Sequence, residues 1–365
     1  VTAGARPLLC IDRLPNASMS VPAFANLCGS LATSLAGRPG APHYEIWHEP
    51  VFREQFASVE EATDAYCTVA EAVKAASPAA QVGGMGFDAA WEDQLDYFVH
   101  HAEPLDFVSL HFYGAHTTSS SDPSLFAAAL AGRAADLPRQ LSFREVRRLI
   151  REACGEDVQL YVTEANVNSA LDREGLPRDP RARGPFAGAW LAALAASASP
   201  YVDKLLWHPL YGEGWGLLDD SSASRDDSST SRDDSSTSRK DGGASGSGTP
   251  SGEPPPTFSW LAARTIATYA PRGGSLCRLA SDEGGCLLCA TQSGVLRSAI
   301  CIVAANQDPT VRINFAGIDR PGAPRLRVIA PDRAEVRQDV LPEGPRQQVQ
   351  VEGPGIAVIQ FIGAP

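Results

Sequence analysis

Three things are scarce in this chain of 365 residues, and each absence removes a class of function. No run of about eighteen or more apolar residues occurs, so a membrane-spanning helix is not expected. Basic residues are outnumbered, 31 to 43, giving a formal net charge of -12. A nucleic-acid binder shows a basic face instead, so no nucleic-acid partner is expected. Histidine is missing around Cys277, Cys286, Cys289 and Cys301, where Cys286 and Cys289 form a CxxC. A zinc site wants two tight cysteine pairs or added histidines. The eight cysteines are scattered rather than arranged as a small-protein framework. Disulfides or buried thiols are therefore the plainer readings, and neither a metal nor a cofactor is expected. No secretory leader is visible, and the chain opens on Val1 rather than Met. Asn16-Ala17-Ser18 fits an N-glycosylation sequon, which has meaning only in a secreted protein.

What is present is an ordinary globular composition, 44% hydrophobic, arranged in two styles. Up to about residue 270, apolar strand candidates at 7-12, 43-47, 80-84, 105-111, 158-163 and 202-207 alternate with helical spacing. The helical segments include Val59 to Ala76, Trp91 to His101, Phe143 to Ala153 and Phe186 to Ala196. Such alternation argues for a parallel sheet with crossover helices. An eight-stranded barrel needs two more strands than these six. The expectation is a (β/α)8 TIM-type barrel over 1-270, N-terminally incomplete by two strand-helix units.

Residues 219-256 are low complexity, with Ser224 to Thr230 recurring as Ser231 to Thr237 ahead of Pro254-Pro255-Pro256. A segment with so little to bury is expected to be a disordered insert before a last helix, Phe258 to Tyr269. From 271 to 365 short β-rich runs separated by Gly, Pro, Asn and Asp predict a small antiparallel β-sandwich domain.

Two glutamates close apolar, strand-like runs: Glu49 after His43-Tyr44-Glu45-Ile46-Trp47-His48, and Glu164 after Leu160-Tyr161-Val162-Thr163. Glycoside hydrolysis needs one carboxylic acid to protonate the leaving oxygen and a second carboxylate across the anomeric carbon. Carboxylates at the C-terminal ends of strands in one parallel barrel can be held for that chemistry. Glutamates are usually solvated surface residues, and only the local motifs lift these two above that.

Five stretches in order resemble clan A glycoside hydrolases, and within that clan family 39, the β-xylosidase and α-L-iduronidase group. Tyr44 to Pro50 looks like the family's EIWNEP motif. Val82-Gly83-Gly84 and Asp106-Phe107-Val108-Ser109-Leu110-His111-Phe112-Tyr113 resemble its VGG and D-F-V-S-x-H-x-Y segments. Tyr161 to Asn166 is similar to its nucleophile strand, and Trp207 with Trp215 to Leu218 to its last strand and the segment after it. The resemblance implies a retaining glycosidase of β-xylosidase-like substrate class acting on an oligosaccharide or glycoside. Glu49 would be acid/base and Glu164 nucleophile, in a secreted or lysosomal/vacuolar setting.

His48, His111, Tyr113, Asn166 and Trp207 are the expected substrate-binding residues, with His208 and Glu213 as further pocket candidates. His111 and Tyr113 are two apart on one strand and face the same side. Trp207 reads equally as a stacking platform for a sugar or as a core-packing residue, and Asn166 equally as a substrate contact or a loop-structural residue. Two positions depart from the family's pattern. His48 stands where it has the asparagine that binds the sugar 2-hydroxyl, and Ala165 where it has a tryptophan that walls the pocket. These departures favour the alternative, a catalytically impaired pseudo-glycosidase that binds carbohydrate.

Overall fold

The computed structural model describes residues 7-14, 19-38, 42-173, 175-210, 216, 257, 259, 261-264 and eight strands between 275 and 361. Six strands form one sheet: β1 (Leu8–Ile11), β2 (His43–Ile46), β3 (Gln81–Phe87), β4 (Phe107–Ala115), β5 (Gln159–Asn168) and β6 (Lys204–Trp207). Every pairing is parallel and spatial order follows chain order. The sheet curls into an open half-barrel. Among the described residues β1 and β6 are its two edges.

Crossover helices cover the outside: α1 (Val21–Leu35), α2 (Val59–Ala76), α3 (Glu92–His101), α4 (Asp122–Ala131), α5 (Phe143–Cys154) and α6 (Pro185–Ala198), with a 3-10 turn at Pro180–Arg183. Their starts are written in serine. Ser20, Ser58, Ser121 and Ser142 each accept a hydrogen bond from a backbone N–H of the first turn, the orphan donors of a helix N-terminus. At α5 the arrangement is reciprocal, Glu145 reaching back to the Ser142 N–H to complete a capping box. In α2 the buried residues Ala62, Tyr66, Val69, Ala70 and Val73 recur at helical spacing and lie on one face. Helices α1 and α4 fill intervals in which the sequence singles out no particular helical segment, and in α1 the buried residues Phe24, Ala25, Cys28 and Ala32 recur at helical spacing.

The β2–β3–β4 stretch is packed backbone to backbone. A Cβ on Gly83 would lie 2.0 Å from the Phe107 carbonyl oxygen, and one on Gly84 2.4 Å from that of Ile46. The two glycines are what lets β3 fit between its neighbours.

The C-terminal strands are β7 (Ser275–Leu279), β8 (Cys286–Ser293), β9 (Leu296–Val303), β10 (Thr310–Asn314), β11 (Pro324–Ile329), β12 (Val336–Val340), β13 (Arg346–Gln350) and β14 (Gly355–Phe361). They make an antiparallel sheet of order β12-β11-β14-β9-β8-β7 and a separate β10-β13 pair. The CxxC falls on β8, but its side chains, like those of Cys277 and Cys301, are outside the described residues. Cys10, Cys28, Cys67 and Cys154 are free thiols. Asn16, Glu213 and the 219-256 insert also lie outside the described residues, and of the last expected helix Ser259 and Leu261 to Arg264 are helical. No described helix is long and apolar enough to cross a membrane.

Candidate active site

The candidate residues gather where β2, β4, β5 and β6 end, the face on which barrel enzymes build their sites. Past β2 the chain turns sharply. Trp47 and Glu49 both adopt left-handed backbone conformations, φ 69° and 52°. A non-glycine residue held there costs about 1–3 kcal/mol and persists only where surroundings impose it. Here they do. The Glu49 N–H donates to the Met85 and Gly86 carbonyls at 3.2 and 3.0 Å, while Trp47 is fully buried and stacks on Phe24 at 5.5 Å.

Strand β4 supplies His111 and Tyr113, and β5 supplies Glu164. Their meeting depends on a bulge. Leu110 pairs with Val162, but His111 pairs with Glu164, so Thr163 is skipped. The same extra residue shows on the other side, where Val162 and Ala165 pair with Leu205 and Trp207. In an unbroken register Glu164 would lie beside Phe112, whose ring packs on Phe143 of α5 and Trp190 of α6 in the helix layer. The bulge turns Glu164 inward and sends the Thr163 hydroxyl to Glu45 Oε1 at 2.7 Å. A second bulge lies on β3, where Gly84 and Phe87 pair with Val108 and Leu110. Gly86, at φ +55°, belongs to it and donates its N–H to Ser109 Oγ at 2.9 Å.

These turns assemble a compact polar group. His111 Nδ1 lies 2.7 Å from Glu49 Oε1, and the two share one proton. Arg53 Nε donates to Glu49 Oε2 at 3.0 Å. Tyr113 donates its hydroxyl to Glu164 Oε2 at 2.7 Å. His48 Nε2 and His208 Nδ1 each lie 3.6 Å from Glu164 Oε1. One ligating atom from each of His48, Glu49, His111 and Glu164 falls within 4.8 Å of all the others.

The charges follow from this packing. Burial pushes the Glu49 pKa up, but the hydrogen bond and charge of His111, then Arg53 and His48, outweigh it and hold it at about 2. Burial pushes His111 down, yet its bond to Glu49 and the charges of Glu164, Glu49 and Glu45 raise it above the ordinary histidine range. Burial and then the His111 charge keep His48 below that range. Burial first, then the Glu164 charge, raises the Tyr113 hydroxyl, leaving it a proton donor. Expected from the acid role was a Glu49 pushed upward; in the free protein it is ionised instead.

A comparison with protein-family models decides the kinship. That of the glycosyl hydrolases family 39 matches residues 17–205, just over half the chain, with both glutamates inside. The chain belongs to that family. Solved structures with the same fold include the family 39 β-xylosidase from Caulobacter crescentus (TM-score 0.61, 15% identity, covering 94% of this chain and 72% of that one). The family 39 enzyme from Xanthomonas axonopodis pv. citri follows (0.57, 15%, 94% and 74%). A family 44 xyloglucanase from Paenibacillus polymyxa is also similar (0.63, 10%, 98% and 75%). A search of curated proteins finds no match.

Three of the residues singled out in the sequence are enclosed in the structure. Trp207 is 9% exposed and packs edge-on against Trp190 at 6.2 Å, in register with Ala165. So enclosed a ring has little face to offer a sugar. Ala165 is fully buried and lies between Phe112 and Trp207 in the register, both of whose rings pack on Trp190 of the helix layer, so it sits on the helix side of the sheet. Asn166 is fully buried with its amide engaged, Nδ2 donating to the His208 carbonyl and Oδ1 accepting from the Val167 N–H, both at 2.7 Å. It ties the end of β5 to the end of β6.

Sequence reasoning missed Arg53, although an arginine four residues after Glu49 was a readable signal. It also missed Glu45, Thr163 and Asp88. Asp88 is pushed up by burial and then by the Glu49 charge. Nothing local in the sequence marks these three.

Proposed function

We propose that this family 39 member is a retaining glycosidase. Glu164 attacks the anomeric carbon while Glu49 protonates the departing oxygen, and Glu49 then activates the water that releases the sugar. The observation that carries this reading is the spacing of the pair, a carboxylate oxygen of each within 4.8 Å of the other. Retaining pairs stand about 5–5.5 Å apart and inverting pairs about 6.5–9.5 Å, so the short gap supports direct attack without an intervening water.

The acid step needs a proton on Glu49. The His111–Glu49 pair holds one along its 2.7 Å hydrogen bond. A sugar that excludes water disfavours the charge-separated form of that pair and moves the proton from Nδ1 to Oε1. Tyr113 holds Glu164 oriented for attack. Similarity to β-xylosidases favours a pentoside or related glycoside as substrate. Residues 1-270 would form the catalytic domain and 271-365 a supporting β-sandwich, in a secreted or lysosomal/vacuolar protein.

One observation favours a second reading. Glu49 held at about 2, with His48 in place of the family's asparagine, suits a pseudo-glycosidase that binds sugar without turning it over. Aryl xyloside, glucoside, arabinoside and iduronide are the substrates to test. Hydrolysis, with an activated 2-deoxy-2-fluoro glycoside trapped on Glu164 by peptide mass spectrometry, is the expected result. Sugar binding with neither turnover nor trapping would establish the pseudo-enzyme.

A further inference from the structure

We propose that the cluster of His48, Glu49, His111 and Glu164 is a binding site for a divalent transition metal such as zinc, and that metal and sugar exclude each other. The proposal concerns binding and does not require that the chain be catalytic.

Donor type, spacing and field all point the same way. Two imidazoles and two carboxylates form a donor set zinc accepts, at about 2.0–2.2 Å from the ion and four to a site. Ligands at that radius around a tetrahedron stand roughly 3.3 Å apart. Three of the separations bracket that value: His111 Nδ1 is 2.7 Å from Glu49 Oε1 and 3.6 Å from Glu164 Oε2, and His48 Nε2 is 3.6 Å from Glu164 Oε1. All separations lie within 4.8 Å, so side-chain movements of up to about 1.5 Å close the set. His48 is the residue that completes it, since the amide of the family's asparagine would be a much poorer ligand.

The surroundings are also short of positive charge. Asp12, Glu45 and Asp88 crowd the same groups: Glu45 and Asp12 both raise the Cys10 thiol after burial has done so, and the Glu49 charge raises Asp88 after burial. Arg53 faces Glu49 and Asp12 from the loop after β2, at 3.0 and 3.9 Å. A divalent cation would relieve this excess of negative charge.

Binding would displace the Nδ1 proton of His111, because a ligating imidazole must offer a lone pair. Nε2 of that ring is buried and without a hydrogen-bond partner. The imidazolium already carries a proton on Nε2, so the Nδ1 proton is released to solvent and a neutral ring ligates through Nδ1. With both carboxylates on the metal, neither is available to a glycoside.

The test is titration of the metal-free full chain with Zn²⁺, followed by Co²⁺ for its visible spectrum, in the natural sequence and in His48→Asn, Glu164→Gln and Cys10→Ser. One equivalent of Zn²⁺ bound competitively with Co²⁺, and an intense tetrahedral Co²⁺ spectrum without thiolate charge-transfer bands, are expected. Losing even an outer-shell partner costs about 10–100-fold in metal affinity, so His48→Asn and Glu164→Gln should each exceed tenfold. Cys10 Sγ lies 3.9 Å from His48 Nδ1, and a serine hydroxyl preserves that neighbour, so Cys10→Ser should stay under the tenfold loss expected of the two ligand variants. Circular dichroism and melting temperature check that each variant is folded. Equal affinity in folded His48→Asn would overturn the site. So would thiolate bands lost in Cys10→Ser, which would move the metal to the neighbouring Cys10, Glu45 and His48 group. Thiolate bands that survive Cys10→Ser would place it on other cysteines and equally overturn the proposal.

Discussion

His111 lies opposite Glu164 across the β4–β5 ladder only because Thr163 is bulged out between Val162 and Glu164. That one extra residue gives the site a carboxylate that a regular strand would have buried among Phe112, Phe143 and Trp190. Deleting Thr163 should close the register with Glu164 still opposite His111, because every later residue of β5 already holds that pairing, and should strip Glu45 Oε1 of its donor. Activity should fall and the melting temperature drop, because the buried Glu45 carboxylate loses a hydrogen bond of a class worth about 1.5–3 kcal/mol. Retention of activity with an unchanged melting curve would show that the bulge is dispensable.

Glu164→Gln removes the attacking oxygen while preserving shape. Loss of a nucleophile that acts with a partner group is expected to cost at least about a thousandfold in kcat. The Tyr113 hydroxyl can still donate to the amide oxygen, so melting temperature should barely move. Steady-state kinetics on an aryl glycoside, alongside thermal unfolding, checks both halves.

Tyr113→Phe should give a smaller and differently shaped loss. The hydrogen bond it removes goes to a charged acceptor at 2.7 Å, a class worth about 1.5–3 kcal/mol. That corresponds to roughly 10–150-fold in kcat, with KM little changed if the hydroxyl orients Glu164 rather than the sugar. A change confined to KM would place the hydroxyl on the substrate instead.

The Glu49–His111 pair sets a pH window for stability. The Glu49 pKa is about 2 in the folded protein, against about 4.3 unfolded. Its contribution is therefore present above pH ~4.3 and lost as pH falls toward 2. His111 has the opposite sign. Its folded pKa is raised, so its contribution is full below about 6.5, the unfolded value, and is lost as pH rises through the folded one. Urea unfolding from pH 3 to 9 should show a maximum between these limits. Glu49→Gln should flatten the acid limb and weaken the alkaline one, since it removes the partner that raises His111.

Gly83→Ala probes the tight sheet beneath the site. The added Cβ meets the Phe107 carbonyl at 2.0 Å, backbone that has nowhere to retreat. Overpacking of this kind costs about 3 kcal/mol or more, roughly 6–12 °C in melting temperature for a domain of this size. A differential scanning trace within 2 °C of the natural chain's, on the same scale of roughly 2–4 °C per kcal/mol, would show that the strands can part.

The sequence by itself determined the alternation of six parallel strands and their helices, because hydrophobic period and serine caps act over a few residues. It also marked Glu49, Glu164, His111 and Tyr113, since each closes or punctuates a strand within a local motif. What only the tertiary structure decided lies between strands. Which way Trp207 and Ala165 face depends on an inserted residue in the neighbouring register, and a bulge leaves no reliable trace in one strand's own pattern. The charge on Glu49 depends on His111, 62 residues away. A pKa is set by what stands within a few ångströms in space, and separation along the chain carries no such information.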